Sequence, residues 1–135
     1  MAAYNIVAGS REALAEGINA GSDQWAFALC LTAPSLAFTA GTTDLATSGG
    51  YTAGGANVST TSSAESAGVY KLVLAAPAVW TASGGGFTFR YVALVNKTTN
   101  QVAGYWDYGS NVVMNGTNAD TFTFTPDAVN GVINI

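Results

Sequence analysis

The sequence predicts an all-β protein, an antiparallel β-sandwich or jelly roll with one short N-terminal helix. Short runs of alternating residue character dominate the chain, as strands with a buried face require. Turn signals rich in glycine and asparagine separate these runs at intervals of about 8 to 12 residues, the rhythm of sandwich folds. Only one stretch has helical spacing. The 135 residues read as one domain, 1–135, long enough to bury a real core.

The helix is expected over Arg11–Ile18, within segment 10–18. Ser10 can cap it, Glu12 lies in the first turn where the helix dipole favours an acid, and Gly17 and Gly21 mark its end. Leu14 and Ile18 are four apart and share a face; two turns cannot stand alone, so that face must pack on the body. Trp25–Leu31 sets Trp25, Phe27, Leu29 and Leu31 against Ala26, Ala28 and Cys30. Both sides are apolar, so this strand should be covered on both faces. Segment 39–55, Thr39–Gly55, carries few large apolar residues and is expected to be a long surface loop or arm, able to order on a partner.

Further strands are expected at Ala56–Thr61, Val69–Leu74 and Val79–Thr81. Phe87–Val95 is the longest run, with Phe87, Phe89, Tyr91, Ala93 and Val95 on one face and Thr88, Arg90, Val92 and Leu94 on the other. Asn96–Gln101 reads as a hairpin loop into Val102–Asp107. Asn111–Met114, Thr121–Thr125 and Gly131–Ile135 complete the set. Turn signals fall at Ser48-Gly49-Gly50, Gly54-Gly55, Gly84-Gly85-Gly86, Asn115-Gly116 and Asn130-Gly131.

Apolar residues make up 49% of the chain but charged residues only 9%, against about a quarter in an average protein. The surface must therefore be built from Thr, Ser, Asn and Gly, which cost little to bury against another protein. The net charge is −4, and Arg11, Lys71, Arg90 and Lys97 are scattered, with no stripe to neutralise phosphates; no nucleic-acid partner is expected. No apolar run reaches the ~18 to 20 residues of a membrane span, so no membrane partner is expected. Cys30 is the single cysteine and no secretory signal pattern is visible, which fits synthesis in a reducing cytoplasm. The sequons at Asn57, Asn96 and Asn115 then read as chance.

The chain has no histidine, which excludes Ser-His-Asp and Cys-His nucleophiles and any His-ligated metal. Among the acids, Glu12 and Glu16 should face solvent on the helix. Asp107, inside Gly104-Tyr105-Trp106-Asp107-Tyr108-Gly109, is the one whose pKa burial could raise; the alternative is a strand-end Asp bonding the amides of the next turn. Gly84-Gly85-Gly86 leads into a strand, not a helix, and no Lys follows, so a hairpin or bulge is expected in place of a phosphate loop. Asp107, Asn111, Asn115, Asn118 and Asp120 lack EF-hand spacing. No catalytic residue, metal or cofactor is expected. Tyr51, Tyr105, Trp106 and Tyr108, with Trp80, are candidates for contact with a protein or glycan, since aromatic faces stack on ligands; core or inter-subunit packing is the competing use of such rings.

The order of motifs resembles that of a family of short tailed-bacteriophage virion proteins. The matching stretches begin with Gly21-Ser22-Asp23 entering Trp25–Thr32 and Ala33-Pro34, then Gly50-Tyr51-Thr52-Ala53-Gly54-Gly55 and Ser62-Ser63. Gly68–Leu74, Trp80–Gly85, Phe89-Arg90-Tyr91 and Gly104–Gly109 follow in order, so the resemblance covers nearly the whole chain. It departs from the family in Ala2–Ile18, which is less hydrophobic and less clearly helical. The resemblance implies a structural virion protein, a capsid decoration (cement) protein on the exterior of an icosahedral head, synthesised in the host cytoplasm. Its implied partners are the major capsid protein and itself, as a homodimer or homotrimer. A carbohydrate-binding adhesin and a tail or head–tail joining protein are the alternatives.

Overall fold

The structure, a computed structural model, describes residues 3–75 and 78–135. Along the chain run β1 (Tyr4–Ile6), α1 (Ser10–Glu16), β2 (Trp25–Cys30), β3 (Ala56–Val58), β4 (Thr60–Ser66) and β5 (Val69–Leu74). They are followed by β6 (Ala78–Thr81), β7 (Phe87–Asn96), β8 (Gln101–Met114), β9 (Thr121–Phe124) and β10 (Ile133–Asn134). A five-stranded sheet of order β1-β8-β7-β2-β3 faces two smaller ones, β10-β5-β4 and β6-β9, and their strand pairs are antiparallel. The fold is thus the all-β sandwich with one short helix that the periodicity predicts.

β2 shows why. All six of its residues are buried. Trp25, Phe27 and Leu29 enter the main core, where they meet Leu72 and Leu74 of β5, Trp80 of β6, Phe124 of β9 and Ile133 of β10. Ala28 and Cys30 point the other way, into a second cluster with Ala93, Val95, Val102, Val7 and Phe38. Large side chains fill the gap of about 10 Å between packed sheets. Small ones on the opposite face let residues 36–38 lie close over the sheet, where the Phe38 N–H donates to the Asn100 carbonyl and the Val102 N–H to that of Leu36.

The alternation expected for β7 breaks halfway. Phe87 and Phe89 share the main core with Val92 and Leu94, while Ala93 and Val95 lie in the second cluster. The cause is a register shift. Phe89 pairs with Val112 and Tyr91 with Asp107, so two residues on β7 span five on β8. The slack is taken up around Gly109, whose φ of +82° suits glycine. The same bulge joins the two expected strands, Val102–Asp107 and Asn111–Met114, into the single β8.

Other boundaries also differ. The expected strand Ala56–Thr61 is two: the chain leaves the large sheet after Val58 and enters a small one at Thr60. β4 is polar and exposed along most of its length, so it lacks the alternation that marks a half-buried strand. β1 is only three residues long and leaves no periodic signal. Ser10 does not cap α1: the cap position is Gly9, with φ +84° and no side-chain bond, and Ser10 is the first helical residue and buried. The helix ends at Glu16, before the expected Ile18. The predicted turns at Gly49-Gly50, Gly84–Gly86 and Asn115-Gly116 converge. A Cβ on Gly49 would strike the Gly86 carbonyl, and one on Gly86 the Met114 carbonyl.

Phe27 is fully buried between Trp106 and Phe124, with ring centroids 6.1 and 4.8 Å away. Phe27→Ala is expected to destabilise the fold by about 3–5 kcal/mol, read as a lower urea midpoint with unchanged m-value.

Candidate functional site

The four aromatic candidates are not brought together. Tyr51 and Trp106 are buried core residues, 1% and 6% exposed, and present no face to a ligand. For these two rings the competing use, core packing, is the one the structure shows. On β8 the reason is the pleat. Trp106 and Tyr108 turn inward, Tyr108 packing edge-on to Phe89 and Phe122, while Tyr105 points to the opposite face and meets Tyr91 at 5.4 Å. Trp80 is also core, stacked on Phe122.

Tyr51 has a structural use that its sequence position conceals. Its hydroxyl donates to Asp44 Oδ2 at 2.6 Å and accepts the Leu29 N–H at 3.1 Å. Asp44, only 5% exposed, also accepts the N–H of Gly41 at 2.6 Å and of Gly54 at 2.7 Å. Burial, reinforced by the bond to Asp44, pushes the Tyr51 phenol up. Lys97 Nζ bonds the Gly54 carbonyl and lies over the Phe38 ring. Segment 39–55 is a loop between β2 and β3, tied across β2 by these bonds in place of hanging as a free arm. One buried carboxylate replaces the missing apolar anchors.

The remaining acids behave alike. Asp23, Glu65, Asp107, Asp120 and Asp127 each accept at least one backbone N–H, from Asn19, Gly68, Gly109, Asn115, and Val129 with Asn130, respectively. With Asp44, six of the eight acids hold the chain's own turns; Glu12 and Glu16 are exposed on α1. Asp107 also receives Arg90 through two bonds, Nε–Oδ1 at 2.9 Å and Nη2–Oδ2 at 3.2 Å. The guanidinium, helped by the Gly109 amide, holds its carboxyl below the usual range, opposite to what a general acid needs. Asp107 thus bonds a backbone amide two residues on, as the simpler sequence reading expects, but inside β8 at the bulge and not at a strand end, and with Arg90 as a partner that reading lacks. Burial, with the Asp44 charge adding, pushes the Cys30 thiol up to about 12, far from a reactive thiolate. Among the described residues no three His, Cys, Asp or Glu side chains cluster as a metal site would require. No helix of the described residues is long and apolar enough to cross a membrane.

An apolar concave feature lies elsewhere. A cavity of about 310 Å³ opens between β1, α1 and the C-terminal strand. Its walls are mostly apolar: Tyr4 and Ile6 from β1, Leu14 from α1, Ile18 from the chain just after it, Trp106 and Ile133 from the two sheets. The pairing of Leu14 with Ile18 signals an apolar helix face in the sequence, but the space beneath it comes from the distant C-terminal strand.

Tyr51→Phe leaves Asp44 and the Leu29 amide each one partner short; a loss of about 1–3 kcal/mol is expected, with faster hydrogen exchange at the Leu29 amide. Cys30 should resist iodoacetamide in the native protein and react once the chain is unfolded in denaturant. In comparisons with known proteins, no family model, no curated protein and no solved structure matches this chain.

Proposed function

We propose that this chain is a non-catalytic surface-binding protein of a phage particle, a decoration protein that lies on the head exterior and ties capsomers together. The motif order set out above motivates the virion assignment. The geometric observation that supports a binding role is β4. It is the free edge of its sheet, six of its seven residues are exposed, and its side chains are Ser, Thr and Ala with one acid. Such an edge can pair with a strand of a neighbour, and its small uncharged side chains cost little to desolvate. Six of the eight acids hold the chain's own turns and loops, which suits a scaffold. Major capsid protein and further copies of this chain are the partners this reading supplies.

Purified virions test it. The chain should be present by mass spectrometry in amounts comparable with the major capsid protein, spread over the shell in cryo-EM, and should bind expanded shells but not procapsids. Absence from the virion would overturn the assignment. A few copies at one vertex would favour a joining or tail protein. Glycan-array binding that is lost on Tyr105→Ala, the ring on the outer face of β8, would favour an adhesin.

A further inference from the structure

We infer that the cavity between β1, α1 and the C-terminal strand is a binding site for a medium-chain fatty acid, the alkyl chain lying on Trp106 and Ile133 and the carboxylate on Arg11. The space is a partly open apolar pocket, bordered by the exposed Ile6, and its volume lies at the lower end of the range of small-molecule sites. At about 310 Å³ it is roughly twice the size of a cavity that takes benzene, which sets the occupant at about 10 to 12 non-hydrogen atoms. Its walls offer methyl, methylene and aromatic groups, so the body of the ligand must be apolar.

The polar groups at the cavity fix the head. Ser10, Arg11, Asp127 and Asn134 line it beside the apolar walls. Asp127 already accepts the N–H groups of Val129 and Asn130 and the Asn130 side-chain amide, so both its oxygens are engaged in its own turn. Arg11 differs. Among the described residues the single salt bridge is Arg90–Asp107, so the Arg11 guanidinium has no carboxylate partner. Its planar fork of donors matches a carboxylate. The Tyr4 ring, packed on Trp106, belongs to the apolar wall. This ligand site lies apart from the β4 edge and does not depend on the virion assignment.

The test uses decanoate, decanol and decylamine with the full chain, below their micelle concentrations, by calorimetry and NMR. Decanoate should bind saturably at one site, raise the melting temperature, and show contacts to the methyl groups of Leu14 and Ile133. Decanol should bind about tenfold more weakly, and Arg11→Gln should bring decanoate down to the same level without changing decanol. Leu14→Trp, which fills the space, should abolish binding of both; if that variant does not fold, the wild-type NMR contacts decide alone. No saturable binding, contacts elsewhere on the surface, equal affinity for decanol, or tighter binding of decylamine would each overturn the inference.

Discussion

A strand buried on both faces needs protein on both sides, and β2 obtains it from two different sources. Its large side chains call for a second sheet, supplied by β5, β6, β9 and β10. Its small ones call for a thin cover, supplied by the chain just after it, through Leu36 and Phe38. Placing β2 between β3 and β7 then fixes the large sheet, because β7 brings β8 as a hairpin and β8 brings β1. The cavity and the free β4 edge are both consequences. One lies where β1 and β10 approach without filling the space beneath α1; the other is where the smaller sheet runs out of strands.

In a chain with so few charges, each buried or bonded one carries unusual weight. Asp44 shows the pattern. An apolar anchor would hold a loop by area; a carboxylate holds it by accepting three hydrogen bonds at fixed directions. The cost of removing it from water is offset only while all three donors remain in place, which makes the loop's conformation specific. The same device recurs at smaller scale in the turns at Asp120 and Asp127.

Much of this architecture is legible in the residues. The double burial of β2 follows from its two apolar faces, and the hairpin between β7 and β8 from two apolar runs joined by Lys97–Asn100. What periodicity cannot show is where its own phase slips. Nothing in Phe89-Arg90-Tyr91 says that four residues of β8 will stand opposite Arg90, because the bulge is a property of the pair of strands. β4 is hidden for the opposite reason: it buries almost nothing, so no pattern forms. Of the candidate contacts, Tyr105 keeps an outward position, whereas Tyr51 and Trp106 are absorbed by the core. A ring's residue type does not distinguish these uses; on β8 the pleat does, with Trp106 inward and its neighbour Tyr105 outward.

The convergence of the glycine turns bears on how the molecule assembles. Gly49, Gly86 and Met114 meet backbone to backbone although long stretches of chain separate them. Gly86 and Met114 close the end of the β7–β8 hairpin, whereas Gly49 comes from the loop after β2, so the Gly49 contact gains nothing until that hairpin end has formed. Loop closure over such separations slows the approach to the native state, and contacts of this kind form late. Contacts absent from the transition state instead retard escape from the native state. A late contact at that end of the sandwich would act as a kinetic latch, slow to close and slow to reopen, set by the absence of two side chains, at Gly49 and Gly86.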